Sequence, residues 1–434
     1  MQKKIRQKLL ATMFMAGAFY LAMLLAPWQA QGGNNQPSFD DALGLYNSGD
    51  SEKALKSFWR LAATGDARAQ FYLATMLDTG TGTPRDVFSA VSWYLKSAHQ
   101  DFLPAVAYAG YLYSTGHGVT KSDKEAFKWY TKAAQMGDAD AQNNLATMLH
   151  EGRGYKKDDL LSIQWYMQSA TQGNVRAQFN LARMYHRGWG VKANLAEALS
   201  WYTLAADQGD KYAQNALGAL YRYGSGVEED PVAALAWYLL SAEQGYAPAQ
   251  RSLASMYETG EGDSTKNPSD AAIWYARAAK QGNVWAQRRL AWFYEKGVGL
   301  PQDFKEAVRW YKRAVDESGD EASMVALGRL YEDGAGTPKD VEAARALYDK
   351  CAGTGAPYCQ IELARIYREG KGVKKDLVLS YQWLALAAAV LPDGEEKAGT
   401  VVARFKLTNE MTEEQLNDAR SRVNNWKPAD SVFK

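Results

Sequence analysis

The stretch RAQFNLARMYHRGWGVKAN, from Arg176 to Asn194, combines residue types that can do chemistry. Within nineteen residues it holds the pair Gly188-x-Gly190, a histidine, several basic side chains and a tryptophan. Glycine-rich loops bind phosphates because their backbone N–H groups can point at the anion. The same residues suit a turn between helices, since glycine readily ends a helix in the left-handed conformation. The first interpretation predicts an enzyme, and the second predicts a binding platform.

Other residues with catalytic potential are scattered along the chain. The four histidines are His99, His117, His150 and His186. None of them has a serine or cysteine at a shared spacing. A Ser-x-x-Lys arrangement, which supplies the nucleophile of penicillin-binding enzymes, occurs once, in the last four residues from Ser431 to Lys434. Because the sequence also lacks HExxH and paired CxxC motifs, it predicts no catalytic residue, no cofactor and no bound metal.

Charge and composition limit the class of partner. The chain has 50 basic and 49 acidic residues, which leave a net charge of +1 and argue against whole-protein binding to nucleic acid. Hydrophobic residues make up 47% and charged residues 23%, as in a folded protein. The 434 residues exceed what one compact core usually organises, so several structural units are expected.

The N-terminus differs in kind from the rest of the chain. Basic residues precede an uncharged, mostly apolar run over residues 9–28. This is the plan of a secretion signal, and about 20 apolar residues are also enough to span a bilayer. We interpret residues 1–30 as a signal peptide or membrane anchor and residues 31–39 as a linker. The basic head places the rest of the chain in the periplasm, or at the inner membrane facing the periplasm if residues 9–28 stay uncleaved; secretion is the other destination.

The glycine pair recurs through the sequence. It occurs nine times at intervals of 36 residues, stretched twice to 37. The pairs are Gly80/Gly82, Gly116/Gly118, Gly152/Gly154, Gly188/Gly190, Gly224/Gly226, Gly260/Gly262, Gly297/Gly299, Gly334/Gly336 and Gly370/Gly372. A catalytic phosphate loop has no reason to be present nine times, so the pair is interpreted as a turn between helices.

Two further features keep the same period. Trp-Tyr dipeptides begin at Trp93, Trp129, Trp165, Trp201, Trp237, Trp274 and Trp310, and the position is degenerate at Leu347 and Trp383. Seven residues before each position lies a residue whose side-chain oxygen can cap a helix. These candidate caps are Asp86, Ser122, Asp158, Asn194, Asp230, Asn267, Asp303, Asp340 and Asp376. Each unit is therefore predicted to be a pair of helices.

A single helix pair cannot bury its apolar side, so the pairs must stack and share a continuous core. The sequence thus predicts an all-α solenoid. We expect an atypical helix pair over residues 40–65, the repeat array over residues 66–391 and a C-terminal capping segment over residues 392–434. In that last segment Thr412 to Gln415 match a capping box, which opens a polar helix ending near Asn425.

The pattern A-x-A-Q-x-x-L-A-x-x-Y-x-x-G-x-G-V-x-x-D-x-x-x-A-x-x-W-Y-x-x-A-A-x-x-G resembles the Sel-one-like repeat, a relative of the tetratricopeptide repeats. It is nearly complete from Val175 to Gly209. The resemblance implies an α/α right-handed superhelical solenoid of about ten helix pairs, used as an adaptor and usually without catalysis. It also implies roles in envelope assembly, exopolysaccharide export or host contact, which secreted bacterial members of the family have.

The two cysteines, Cys351 and Cys359, occupy positions that hold small residues in the other units. They lie eight residues apart across a tight turn, and cysteine-rich members of the family carry such a pair in many units. In an oxidising compartment we favour a disulfide. Two free thiols that fill small apolar sites are the alternative, and a redox centre is a third interpretation.

Binding residues are expected on the concave side, which the first helix of each pair lines in tetratricopeptide-like stacks. Alignment of the repeats places these candidates there: Arg183, Arg222, Arg251, Arg288, Trp292, Arg329 and Arg365. Arginine suits carboxylates, and aromatic rings suit peptide side chains or sugars. In the alternative interpretation the arginines pair with Glu258, Glu295 and Glu332 in a solvated network.

The sequence as a whole predicts a non-catalytic protein-binding scaffold in the cell envelope. Its partner is expected to be a protein, with acidic polysaccharide as a second class of ligand, and assembly or export of acidic exopolysaccharide is one setting for it. A hydrolase or penicillin-interacting enzyme is the first alternative, although no nucleophile with a base is visible. A secreted effector that binds a host protein is the second.

Overall fold

The computed structural model describes residues 38–262 and 265–429 of the chain. These residues form 22 helices and no strand, which confirms the predicted all-α class. They divide into two compact units, one ending at Ser122 and one beginning at Asp123, and each is described by itself. The signal peptide or anchor interpreted at residues 1–30 and the Ser-x-x-Lys motif at residues 431–434 lie outside the described residues. Within the described ranges, no helix combines the length and the apolar character needed to cross a bilayer.

The described part of the first unit contains five helices, and each packs against the next along the chain. They are α1 (Phe39–Asn47), α2 (Ser51–Ala63), α3 (Ala67–Thr79), α4 (Val87–Ala98) and α5 (Leu103–Thr115). Phe58 of α2 and Leu73 of α3 are fully buried in its core. Around them Phe58 stacks on Tyr72 with ring centroids 5.3 Å apart, so large aromatic side chains fill this unit.

The second unit continues as a row of helix pairs in which neighbours along the chain pack together as a repeat solenoid. Its first seven helices are α6 (Asp123–Gln135), α7 (Ala139–Glu151), α8 (Asp159–Thr171), α9 (Val175–Arg187), α10 (Leu195–Asp207), α11 (Lys211–Tyr223) and α12 (Pro231–Glu243). The next eight are α13 (Ala247–Thr259), α14 (Pro268–Lys280), α15 (Val284–Lys296), α16 (Phe304–Ser318), α17 (Glu321–Asp333), α18 (Val341–Gly353), α19 (Pro357–Glu369) and α20 (Leu377–Val390). Odd numbers from α7 to α19 are the first helices of their pairs, and even numbers from α8 to α20 are the second helices.

Capping side chains begin the second helices at eight of the predicted positions. Asp158 accepts a hydrogen bond from the Leu161 N–H at 2.9 Å, and Asp230 does the same for Ala233 at 2.9 Å. The caps with such a bond are Asp86, Asp158, Asn194, Asp230, Asn267, Asp303, Asp340 and Asp376.

The two glycines of each pair have different structural roles. Gly152 ends α7 in the left-handed conformation at φ 70°, which is the predicted role of the first glycine. The second, Gly154, also has a positive φ and lies against the start of α6, where a Cβ would come within 2.2 Å of the Asp123 carbonyl oxygen. The pair therefore ends one helix and lets the loop approach the preceding repeat closely. This confirms that it is a helix turn.

Buried glutamines tie successive helices of the second unit together. Gln178 of α9 donates to the Ala170 carbonyl at 3.2 Å and accepts from Gln208, at the end of α10, at 2.8 Å. The same Gln–Gln bond of 2.8 Å recurs at Gln142–Gln172, Gln214–Gln244 and Gln250–Gln281. It satisfies polar atoms that burial would otherwise leave unpaired, so each bond favours one register of stacking.

The C-terminal segment forms two helices, α21 (Glu395–Thr408) and α22 (Glu413–Asn425). The capping box of Thr412 and Gln415 is observed at the start of α22, as predicted. The sequence analysis missed α21, which lies outside the repeat pattern and begins at Gly394 without a side-chain cap. Leu407 of α21 and Ala419 of α22 are fully buried in one cluster with Leu384 of α20, so both helices cover the last second helix.

Candidate functional site

The predicted binding residues all lie on first helices of the second unit. Arg183 is on α9, Arg222 on α11, Arg251 on α13, Arg288 and Trp292 on α15, Arg329 on α17 and Arg365 on α19. Six of them lie two residues before or after the buried leucine of their helix, for example Leu181 on α9 and Leu290 on α15, and Arg222 directly follows Tyr221. We call the side of these helices that carries the seven residues the first-helix face.

Four of the six predicted arginines are held by carboxylates of the described residues. Arg222 donates two hydrogen bonds of 2.7 Å to Glu261, and its side chain is only 13% exposed. Arg288 donates to Asp320 at 2.9 Å. These arginines join consecutive repeats, because their partners lie 39 and 32 residues later.

The last two arginines belong to one network. Arg329 donates to Glu362, and Arg365 donates to Glu362 at 2.9 Å and also to Glu332. Glu332 receives a further bond of 2.6 Å from Lys371. Of the pairings in the alternative interpretation, that of a predicted arginine with Glu332 is therefore observed, and Glu332 is buried and not solvated.

Only one of the three glutamates that were expected to pair with the predicted arginines does so. Of the three, Glu332 binds a predicted arginine, whereas Glu258 binds Arg289, which the sequence analysis did not select. Glu295 binds Lys296 at 2.6 Å. Arg289 also lies over the Trp292 ring at 4.0 Å, so it occupies the face of the predicted aromatic residue. The sequence feature that could have identified Arg289 is its position directly before the buried Leu290.

Each of these three glutamates also accepts a hydrogen bond from a buried tyrosine of a second helix. The pairs are Tyr275–Glu258 at 2.8 Å, Tyr311–Glu295 at 2.8 Å and Tyr348–Glu332 at 3.0 Å. Burial and the adjacent carboxylate raise the pKa of these tyrosines, so the phenols stay protonated and donate. The tyrosine at the second position of the repeated Trp-Tyr dipeptide, which is Leu347-Tyr348 in one repeat, thus fixes the carboxylate on the first helix.

Glu332 is the most enclosed carboxylate of the network, with 2% of its surface exposed. Burial alone would raise its pKa, but the hydrogen bonds from Arg365, Lys371 and Tyr348 outweigh burial and hold the pKa below its ordinary value. The side chain is therefore ionised at neutral pH. A buried anion with three donors is a structural device that fixes the stacking of adjacent repeats.

A groove of about 720 Å³ lies between α15 and α17. Arg288, Trp292 and Arg329 line it, with apolar surface from Ala326 and Leu330. Its cationic groups are already paired: Arg288 with Asp320, and Arg329 with Glu362. The structure thus brings three of the predicted residues to one groove, but it does not leave their charges unopposed.

Arg183 and Arg251 differ from the other predicted arginines. Both are exposed, and no carboxylate of the described residues lies within 4.0 Å of either guanidinium. Arg183 instead lies 5.7 Å from the Phe179 ring centroid and 5.5 Å from that of Trp189. Arg251 lies 5.8 Å from the Trp285 ring. These two arginines are the ones available to an anionic partner.

The two cysteines lie where α18 meets α19. The structure places the sulfurs of Cys351 and Cys359 1.98 Å apart, with the Cα atoms 5.8 Å apart. Both residues are buried in the core of the array. This is the geometry of the disulfide favoured from the sequence.

Two of the four histidines contact carboxylates. In the first unit, His117 lies 2.8 Å from Asp78, and in the second unit His150 lies 2.6 Å from Asp159. His186 contacts the Tyr202 hydroxyl at 3.5 Å, and burial lowers its pKa. The described residues contain no group of three or more His, Cys, Asp or Glu side chains arranged to hold a metal ion.

The repeat pattern matches a known family. A family model described as Sel1 repeat matches nine segments that together cover more than half of the chain. The segments are residues 67–102, 104–138, 139–174, 175–210, 211–246, 247–283, 286–318, 322–352 and 357–389. The resemblance stated from the sequence is confirmed by this match.

Two solved structures share the fold at appreciable sequence identity. One is a protective antigen present in uropathogenic Escherichia coli strains and displaying an SLR fold; it is 30% identical, with a TM-score of 0.75 covering 89% of this chain and 84% of that chain. The other is a Sel1 repeat protein from Oxalobacter formigenes, 32% identical, with a TM-score of 0.51 covering 56% of this chain and all of that chain (100%).

A curated protein is similar over a short segment. DAP3-binding cell death enhancer 1 of Rattus norvegicus is 39% identical over 56 residues, which are 13% of this chain and 11% of that protein. The match therefore spans only about a tenth of the curated relative.

Proposed function

The chain belongs to the Sel1 repeat family, whose repeats serve as protein-binding scaffolds, and we propose that it is a non-catalytic scaffold of the bacterial cell envelope. On this proposal the first-helix face binds a protein partner in the periplasm or at the inner membrane. The complex serves assembly or export of envelope components, acidic exopolysaccharide among them.

The observation that carries the proposal is the exposure of Arg183 and Arg251, next to aromatic rings, on first helices that lie two repeats apart. Exposed arginine and aromatic side chains are enriched where proteins bind each other. The paired arginines of α15, α17 and α19 contribute differently, since their ion pairs fix the repeats that present this face.

Location in the envelope is supported by the basic head and the apolar run over residues 9–28. The similar chain from uropathogenic Escherichia coli is described as a protective antigen, which agrees with a place outside the cytoplasm. Fusion of alkaline phosphatase after residue 429 tests this, because the enzyme is active only in an oxidising compartment. An active fusion is expected, and an inactive but intact fusion contradicts the envelope location.

Partner binding is tested by photo-cross-linking of the full chain in cells. A benzoylphenylalanine placed at Ala219, on the first-helix side of α11, is expected to give a discrete adduct that mass spectrometry can identify. Leu240 is the matched control, because it is exposed on the second helix α12. The scaffold proposal fails if neither position gives a discrete adduct, and the choice of face fails if both give the same one.

A further inference from the structure

We propose that the first helices α9, α11 and α13 bind an acidic, extended peptide segment. The inference rests on the proposed scaffold function and names the chemistry of its partner. The binding surface, which we call the aromatic ribbon, consists of Trp189, Arg183, Phe179, Tyr212, Tyr246 and Arg251.

Side-chain contacts run along the aromatic ribbon from one repeat to the next. The Arg183 guanidinium lies between Trp189, at 5.5 Å, and Phe179, at 5.7 Å. The Phe179 ring is 5.8 Å from Tyr212 of the next first helix, and Tyr212 is 5.0 Å from Tyr246 at the start of α13. Tyr212 is 45% exposed although it belongs to this chain of contacts. The ribbon therefore crosses three repeats as one surface.

Arg251 lies on α13, the helix for which Tyr246 is the N-cap residue. It is five positions after Tyr246, which corresponds to a rise of about 7–8 Å along a helix. Arg251 also lies 5.8 Å from the Trp285 ring of α15. An arginine beside aromatic side chains therefore stands at each end of the ribbon, with Tyr212 and Tyr246 between them.

The charge of the underlying helices favours an anionic ligand. The thirteen residues of α9 include Arg176, Arg183 and Arg187 but no aspartate or glutamate. The thirteen residues of α11 include Lys211 and Arg222 and likewise no acidic residue. The helix α13 adds Arg251 and one acidic residue, Glu258, which is already bound to Arg289. The positive charge of the ribbon thus has little opposition from its own helices.

The acidic residue that precedes Lys211 and Tyr212 in the sequence is engaged as a helix cap. Asp210 caps α11 by accepting the Ala213 N–H at 2.7 Å. Lys211 lies 5.4 Å from the Tyr212 ring and adds a positive charge at the same place. Among the described residues no carboxylate forms a salt bridge with Arg183, Lys211 or Arg251, although Lys211 interacts electrostatically with Asp210.

Further along the array, the arginine of the first-helix face on α17 shares its helix with acidic residues. The helix α17 holds Glu321, Glu332 and Asp333 beside Arg329, and Arg329 is bound to Glu362 although its side chain is 63% exposed. An acidic ligand would have to displace that carboxylate. Binding is therefore expected at α9 to α13 and not at the groove between α15 and α17.

Ring orientation favours a peptide over a polysaccharide of uronic acids. Tyr212 and Tyr246 meet edge to face at 78°, and Phe179 meets Tyr212 at 41°. The Trp189 ring is approached by Arg183 and by His150, whose ring centroid is 4.7 Å away. Such rings do not form a row of open, parallel faces for successive sugars, whereas they leave clefts for the separate side chains of an extended peptide.

The test is fluorescence anisotropy of the full chain with a fluorescein-labelled (Glu-Ala)6 peptide at low and at physiological salt. Variants compared are wild type, the double variant Arg183→Gln/Arg251→Gln, and Arg277→Gln. The last is a matched control, since Arg277 is also exposed and lies 4.3 Å from a tryptophan ring, but on the second helix α14. A (Lys-Ala)6 peptide controls for charge, and thermal unfolding confirms that each variant is folded.

We expect (Glu-Ala)6 to bind the wild type, with affinity that falls as salt rises, and the double variant to bind at least about tenfold more weakly. Arg277→Gln should bind as the wild type does, and (Lys-Ala)6 should not bind. The proposal is overturned if (Glu-Ala)6 does not bind, or if the folded double variant keeps the wild-type affinity. It is also overturned if a galacturonate hexamer binds at the ribbon and the peptide does not.

The acidic-peptide proposal and the scaffold proposal can fail independently of each other. If the cross-linked partner is recovered equally by the wild type and the double variant, the scaffold proposal stands and the acidic-ligand proposal falls. If the peptide binds in vitro as expected but no adduct forms in cells, the binding surface stands and the scaffold role falls.

Discussion

Arg222 holds Glu261 through two parallel hydrogen bonds of 2.7 Å across 39 residues of sequence. The arginine belongs to the first-helix face, yet most of its guanidinium is enclosed by this pair and by Ser255, to which it also donates at 3.4 Å. Its role is to hold one repeat against the next. Position on the face therefore does not by itself make an arginine available for binding.

Replacing Arg222 by Gln is expected to lower the free energy of unfolding by about 1–3 kcal/mol, because a largely buried bidentate ion pair is lost and Glu261 loses its donors. The measurement is urea unfolding followed by circular dichroism. Arg309→Gln is the control: Arg309 is 71% exposed and pairs with Glu306 on the same helix, so its loss should cost no more than about 0.5 kcal/mol. Equal losses for the two variants would mean that Arg222 does not join the repeats.

The enclosed carboxylate of Glu332 predicts a pH dependence of stability. Its pKa in the folded state lies below the ordinary value of 4.5, so the stabilisation is fully present above about pH 4.5. It is lost as pH falls through the lower pKa of the folded state, because protonation then removes the ion pairs with Arg365 and Lys371. At pH 7 the Glu332→Gln variant should have a lower melting temperature than the wild type. The difference between the two melting temperatures should become smaller as the pH is lowered. A difference that is constant from pH 7 to pH 3 would contradict this account.

The second glycine of each pair is expected to be less replaceable than glycines at the turns between pairs. Gly154→Ala brings a Cβ to 2.2 Å from the Asp123 carbonyl oxygen, whereas a Cβ at Gly137 meets nothing within 4 Å. Both residues have positive φ, so Gly137→Ala should cost about 1–2 kcal/mol from backbone strain alone. Gly154→Ala should cost at least about 2 kcal/mol more, since backbone must also move. Chemical denaturation of both variants checks this, and similar losses would refute the close-approach role.

The Cys351–Cys359 pair is expected to be a disulfide in protein isolated from the envelope. The mass of the peptide that contains both residues should rise by two hydrogen atoms on reduction, as measured by mass spectrometry. Reduction should lower the free energy of unfolding by about 2–3 kcal/mol, because the closed loop is short. Cys351→Ala/Cys359→Ala should unfold as the reduced wild type does, whether or not reductant is present. Free thiols in the isolated protein would favour the alternative of two small apolar fillers.

Local pattern was enough to predict the elements of this fold. The caps at Asp158 and Asp230 and the helix end at Gly152 are read from single positions, because each acts on N–H or C=O groups within one turn. Repetition at 36 residues then showed that Gly188-x-Gly190 is a turn and not a phosphate loop. The helix α21 was not predicted, because it has neither the repeat pattern nor a side-chain cap.

Tertiary structure alone decided which candidates are available to a ligand. Arg183 and Arg329 occupy the same position relative to the buried leucine of their helices, and in sequence nothing separates them. Stacking brings Glu362, 33 residues later, to Arg329, and it brings aromatic rings to Arg183. The amino acids themselves determined helices, caps and period, because those depend on neighbours within a few residues. Ion pairing between repeats depends on distances and orientations that exist only once the helices have packed, and that packing left Arg183 and Arg251 unpaired among the described residues.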